Sequence, residues 1–263
     1  MNERKVDFAV KRTRKLDPLE NAMQLLFFLC GAVAVAFVLV ITVYLVVSGL
    51  PAIQKVGLGN FLLGTTWDSA NKTDPQYGIL PFILTSIYGT AGAILIGVPV
   101  GFMTAMFLAK AAPTKLAAVI RPAVDLLAGI PSVVYGMVGM VVLLPGIRGL
   151  FHLKAGDTLL AAILVLAVMI LPSIISVSET ALRAVPREYE EASLALGATH
   201  IETVFRVSVP AARSGIATAI VLGIGRAIGE AMAIIMVAGN VANMPGLLTP
   251  VRFLTTAIAS EMS

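Results

Sequence analysis

Val185–Pro210 reads VPREYEEASLALGATHIETVFRVSVP, a polar stretch set between two hydrophobic ones. Its local signals describe two short helices joined at a glycine. Pro186 suits the first helical position, Glu188, Glu190 and Glu191 suit the positive end of a helix dipole, and Gly197 suits the left-handed position after a last turn. Thr199 followed by Glu202 fits a capping box. Ile201, Val204, Phe205 and Ser208 then recur at helical spacing, and Pro210 is expected to end the run. A DNA-reading helix-turn-helix is excluded by charge. Between Glu179 and Arg213 four arginines stand against five glutamates, a balance unsuited to phosphate backbones, so no nucleic-acid partner is expected.

Outside this stretch the chain is membrane-like. Only 13% of its 263 residues are charged, about half the soluble norm, and 58% are hydrophobic, with a mean hydropathy of +0.93. Five runs are long enough to cross a bilayer, which needs ~20 apolar residues each. They fall at about 23–48, 78–109, 126–147, 158–178 and 214–241, and they predict an all-α polytopic membrane helix bundle. The run from Asn21 to Gln54 is too long for a signal-peptide core. Cys30 is the sole cysteine, so no intrachain disulfide forms, and it reads as a packing thiol.

Residues 1–22 form a basic tail, and the loop at 49–76 carries Trp67 and Tyr77 where interfacial aromatics would anchor its ends. In the second run Gly89, Ala93, Gly97 and Gly101 recur every fourth residue, a stripe that admits close approach of another helix, and Pro99 predicts a kink. Residues 110–121 read as a short basic turn. Leu126–Gly136, LLAGIPSVVYG, is compatible with a broken helix beside a cavity and equally with a simple packing kink. Putting the N-terminus, the 110–121 turn and the 179–213 segment on one side gathers thirteen of the nineteen Lys and Arg there, against five opposite and Arg226 within a helix. The positive-inside rule makes that side the cytoplasm, and hence the N-terminus cytoplasmic.

Arg226 and Glu230 are the sharpest chemistry within a span. Four residues apart on one predicted helix, they would share a face. One reading is an oxyanion pathway in which Arg226 attracts the anion and Glu230 tunes it; the other is a structural ion pair. The small residues Gly225 and Gly229 read as a packing motif. The chain has no phosphate-binding loop for nucleotide hydrolysis, its two histidines lack metal-ligand companions, and no serine has a histidine partner at readable spacing. The chain is therefore expected not to be an enzyme and to bind no cofactor or metal itself.

Glu191-Ala192-Ser193, Gly197, and Val207-Ser208-Val209-Pro210 after nine more residues resemble the EAA loop of ABC importer permeases. FLLGTTWDS at 61–69, YGILPF at 77–82, LLAGIPSVVYG at 126–136 and GRAIGEAMAIIMVAGN at 225–240 are similar to PstC-type permeases of phosphate-specific importers. The resemblance implies a fold of the ABC type I importer permease kind in a prokaryotic inner membrane. It also implies a job: Glu191, Ala192, Gly197 and Pro210 would couple the chain to an ATPase, and Arg226 and Glu230 would line the substrate path. The implied partners are a homologous PstA-type permease, two ATPase subunits that use ATP, an extracytoplasmic phosphate-binding protein and membrane lipid. Such permeases carry a sixth membrane helix after the Ala-Ser-Glu-Met stretch, and this sequence stops at Ser263 before it. A truncated chain, or a partner in that place, is the corresponding expectation. Permeation of another oxyanion such as sulfate or molybdate, or a transport-deficient scaffold in phosphate sensing, are the alternative functions. An ion-driven secondary carrier lacks the inverted repeat it would need.

Overall fold

The computed structural model describes residues 18–69, 71 and 73–261. Of the basic tail expected over 1–22, residues 1–17 lie outside the described residues, and the remainder is already helix. The chain divides into two units, residues 1–58 and 59–263.

The first unit is one helix, α1, Pro18–Val56, running through Pro51. Every described side chain from Asn21 to Ser48 is exposed within it, and a helix apolar around its whole circumference is one that lipid or protein must surround. It overruns the expected end at Ser48, continuing through Gly49 and Pro51, and stops before Gly57, at φ +84°.

The second unit opens with a short helix, α2, Leu58–Leu63, and an antiparallel pair of two-residue strands, β1, Trp67–Asp68, and β2, Gln76–Tyr77. The pairing sets Trp67 opposite Tyr77, with ring centroids 5.7 Å apart, and 5.4 Å from Phe82. Instead of anchoring separate ends of a loop, the two aromatics clasp it shut on a buried phenylalanine.

Three helices carry the bundle. α3, Leu80–Met106, passes through Pro99 and continues as a π-helical segment, Phe107–Ala111. α7, Leu159–Arg183, is the central helix, and Thr158 caps its start by accepting from the Ala161 N–H at 3.2 Å. The next orphan donors of α7, Leu159 N and Leu160 N, reach the Thr249 and Leu247 carbonyls at 3.1 and 2.9 Å, so none is left for hydrocarbon. α11, Arg213–Gly229, packs along α7 and also meets α3. The predicted glycine stripe is the α3–α7 seam. A Cβ on Gly97 would stand 2.7 Å from Ile170 Cδ1 and 3.1 Å from the Ala167 carbonyl, and one on Gly101 would meet Ile174 at 2.9 Å.

Several boundaries differ from the sequence reading. Residues 110–121 are not a turn: α4 spans Thr114–Gly129, with an apolar stripe that buries Ala117 and Val124. The third run is broken at Ile130–Pro131 and resumes as α5, Ser132–Val138, a π segment, Gly139–Leu143, and α6, Leu144–Phe151. Pro131 disfavours helical backbone at Ile130, which sits at ψ 127°. The fifth run is two helices. α11 stops at Gly229, Glu230 is extended at φ −76°, ψ 129°, and α12 covers Met232–Val237. α11 alone rises about 26 Å, just short of the ~30 Å hydrocarbon core. Among the described residues four helices are long and apolar enough to cross a membrane, five if the bent pair His200–Ala211 and Arg213–Gly229 counts as one. After Asn240 the chain returns to the bundle, and α13, Leu254–Glu261, rests on α3, with Phe253 against Gly89 and the Leu254 N–H donating to Ser86 Oγ at 2.9 Å.

Candidate functional site

The two broken helices face each other. Gly136 of α5 and Ala233 of α12 approach so closely that a Cβ on Gly136 would lie 2.9 Å from the Ala233 Cα, and one on Gly139 would lie 2.8 Å from Val237 Cγ1. Tyr135 spans the first break by donating its hydroxyl to the Leu127 carbonyl at 2.7 Å, a group in the last turn of α4 that also accepts from the Ile130 N–H at 3.3 Å. At the second break Glu230 accepts from the Ala233 N–H at 2.8 Å, and its own carbonyl accepts from Thr255 Oγ1 at 2.8 Å. Broken helices at membrane depth survive only where side chains re-satisfy the freed backbone groups, and these bonds do so.

This geometry corrects the reading of Arg226 and Glu230 as neighbours on one helix face. Glu230 lies beyond the end of α11, its carboxylate is turned to α12, and no ion pair joins it to Arg226. Arg226 sits in the last turn of α11, half-buried, where a cation suits the helix dipole. Among the described residues its hydrogen bond is a long one, Nη1 to Ser173 Oγ of α7 at 3.4 Å, and its charge also acts on Tyr135. Most of its five donors are uncommitted. Ser173 was not singled out from sequence as a partner of Arg226, since only the α7–α11 packing brings it within reach. A cavity of about 920 Å³ is bounded by Leu127, Ile130, Tyr135, Leu164 and Val168. So apolar a wall suits acyl chains or another helix and excludes an anion.

The 179–213 segment folds as its local signals predict, with one exception. α8, Arg187–Ala195, follows Pro186, and Gly197 adopts φ +86°. Gly197 N donates to the Leu194 carbonyl at 2.9 Å and Ala198 N to the Ser193 carbonyl at 3.2 Å, the two bonds of a Schellman turn. Thr199 and Glu202 form the capping box of α9, His200–Thr203. The exception is Pro210. The chain runs on through a π segment, Val204–Ser208, into α10, Val209–Ala211, where Pro210 falls in the first turn and needs no N–H partner; the 72° bend comes at Ala212. Glu191, Ala192, Gly197 and Pro210 are all exposed. So are Tyr189, Leu194, Leu196, Ile201 and Phe205, with Leu196 at 90%. Apolar side chains gathered on the tip of a polar loop mark a surface for another protein.

Polar residues that tie this loop to the bundle were missed from sequence. Lys110 forms an ion pair with Glu190 Oε1, which also accepts from Ser208 Oγ at 2.8 Å. Burial pushes the Glu190 carboxyl up, but hydrogen bonds from Lys110 and Ser208, with the Lys110 charge, outweigh it and hold the group below its ordinary value. Beside it, Glu179 Oε1 accepts from Arg121 Nε at 2.7 Å and Arg183 Nε at 2.8 Å.

The family described as "binding-protein-dependent transport system inner membrane component" matches residues 97–259. The chain belongs to that family. Within it the chain is 40% identical to the "probable ABC transporter permease protein YqgH" of Bacillus subtilis, across 89% of this chain and 76% of that one. It is 39% identical to the "phosphate transport system permease protein PstC" of Haemophilus influenzae over 85% of this chain and 76% of the relative. With PstC 2 of Mycobacterium tuberculosis the identity is 32% over 86% and 75%. An inward-facing structure of the MetNI methionine ABC transporter shares the fold, with a TM-score of 0.51 and 24% identity over 57% of this chain and 70% of that one. The protein is thus a multi-pass membrane protein of an importer family whose members work with an ATPase and a substrate-binding partner.

Proposed function

We propose that the chain is one transmembrane subunit of an ATP-driven phosphate importer and supplies half of the translocation path. The observation that carries the cargo is Arg226: a permanent charge at the end of α11, beside a broken helix, with no carboxylate paired to it among the described residues. A half-buried guanidinium with free donors is matched by a tetrahedral oxyanion, whose oxygens take charge-assisted bonds. The PstC relatives, named for phosphate, support that anion over others. Ser173 would add a neutral hydroxyl, which keeps binding weak enough for release.

The chain hydrolyses nothing and binds no cofactor; ATP is used by the partner. Glu191, Ala192, Gly197 and the exposed apolar side chains around them dock on an ATPase subunit at the cytoplasmic face, with the N-terminus on the same side. A homologous PstA-type permease completes the path, a second ATPase subunit serves it, and an extracytoplasmic binding protein delivers phosphate to the opposite face, where Trp67, Tyr77 and Arg252 lie. ATP-driven closure beneath the loop exchanges the two accessible states, and their differing affinity for phosphate sets the direction.

The test is phosphate uptake into vesicles carrying the assembled importer. Arg226→Gln removes charge-assisted bonds of roughly 1.5–3 kcal/mol, so flux falls about tenfold or more at unchanged complex abundance. A parallel fall in abundance makes Arg226 structural, and competition by sulfate or molybdate equal to that of phosphate reassigns the cargo.

A further inference from the structure

The π segment Phe107–Ala111 at the end of α3 is joined to three other elements through polar contacts that neither the pathway nor the docking surface uses. Its origin is local. Ala112 N donates to the Phe107 carbonyl at 2.7 Å, five residues back, so the Leu108 carbonyl would need Pro113 as its donor, and proline has no N–H. That orphan carbonyl is taken by Arg183 Nη2 of α7 at 2.9 Å and Arg121 Nη2 of α4 at 3.3 Å, the two arginines that share Glu179. Two residues on, Lys110 points the other way, to Glu190 of α8. The Lys110 and Glu190 side chains are 11% and 19% exposed, whereas α8 buries none of its residues and packs chiefly on α9 and the Val204–Ser208 segment. Among the described residues the other side-chain bonds of α8, Ser193 with Thr203 at 2.9 Å and Ser208 Oγ to Glu190 at 2.8 Å, stay within the loop. Its polar tie to a membrane helix is therefore Lys110–Glu190.

We infer that the Lys110–Glu190 bridge is the positioning link that carries displacement of the coupling loop into the bundle. The link rests on the transporter reading above and deepens it. A movement of α8 is passed through Glu190 to the end of α3. Arg121 and Arg183 hold that end to α4 and α7, so it cannot yield alone. α7 carries Ser173, the partner of Arg226, and the shift reaches the anion site along one packed helix. Ser208 fixes the Glu190 carboxylate from the side of α10, so the following bend moves with it.

The experiment uses the full chain assembled with its permease partner and ATPase subunits in nanodiscs. ATPase retention is measured alongside stimulation of ATP hydrolysis by the phosphate-loaded binding protein. Glu190→Gln keeps the size and a hydrogen bond to Ser208 but removes the charge; Lys110→Met removes the other half. Each is expected to retain the ATPase subunit fully while stimulation falls about tenfold, a usual size for coupling between two sites. The exchange Lys110→Glu with Glu190→Lys is expected to recover at least half of it. Full stimulation in Glu190→Gln, loss of the ATPase subunit in step with stimulation, or an exchange no better than either single variant overturns the link; if the exchanged chain does not accumulate, the two single variants decide. A wild-type assembly that retains no ATPase subunit overturns the transporter reading itself.

Discussion

Gly197 is where a single added methyl tests the coupling loop most directly. It sits at φ +86°, and a Cβ built there would find nothing within 4 Å. Crowding therefore contributes nothing, and the cost of Gly197→Ala is the backbone penalty of an L-residue in left-handed conformation, about 1–2 kcal/mol. That lowers the population of the turn about 5–30-fold relative to its open forms. Asparagine tolerates the same region, so Gly197→Asn should cost less. Proline is held near φ −65° and also removes the bond to the Leu194 carbonyl, so Gly197→Pro cannot form the turn at all. The assay is the dissociation constant between the permease assembly in nanodiscs and the isolated ATPase subunit. The expected order is glycine, then asparagine, then alanine about 5–30-fold weaker, then proline without measurable binding. Thermal midpoints of the bundle should not move, because the turn is exposed and touches no membrane helix. An alanine variant equal to wild type, or an asparagine variant worse than alanine, refutes the reasoning.

Two further outcomes follow from packing and charge. Gly97→Ala places a methyl 2.7 Å from Ile170 Cδ1 and should destabilise the α3–α7 seam by ~1–3 kcal/mol; adding Ile170→Val, which frees that methyl's space, should recover part of it in a thermal-melt comparison in detergent, and a neutral Gly97→Ala would show that the seam is loose. Because the Glu190 carboxyl is held below its ordinary value of 4.5, its stabilisation is fully present above that value and lost only as pH falls through the lower, folded value. The gap in melting temperature between wild type and Glu190→Gln should be constant through neutral pH and close only below about 4.5; Lys110, Ser208 and His200 are the groups acting on this carboxylate, and a gap that closes between pH 5 and 7 would contradict their arrangement.

The coupling loop was legible in the sequence almost residue by residue. Proline, glycine, threonine and glutamate act there through the backbone within three or four positions, so Gly197 and the Thr199–Glu202 box need no distant partner. Pro210 was misread because proline is as much at home in a first helical turn as after a last one, and the chain ran into another helix. Hydropathy located the spans but not their breaks. Glu230 was read onto a continuous helix, whereas the Ala233 and Thr255 bonds that stabilise its extended backbone come from elements that a periodicity argument does not place.

What the sequence determined by itself is the membrane class, the α3 glycine stripe and the two-helix coupling loop, all properties of spacing within a few turns. Tertiary structure alone decided the working contacts. Arg226 meets Ser173 across 53 positions and Lys110 meets Glu190 across 80. No local preference encodes such pairings. They exist because α7 packs against both α3 and α11, and because buried polar groups in a membrane bundle must find partners wherever the packing brings them.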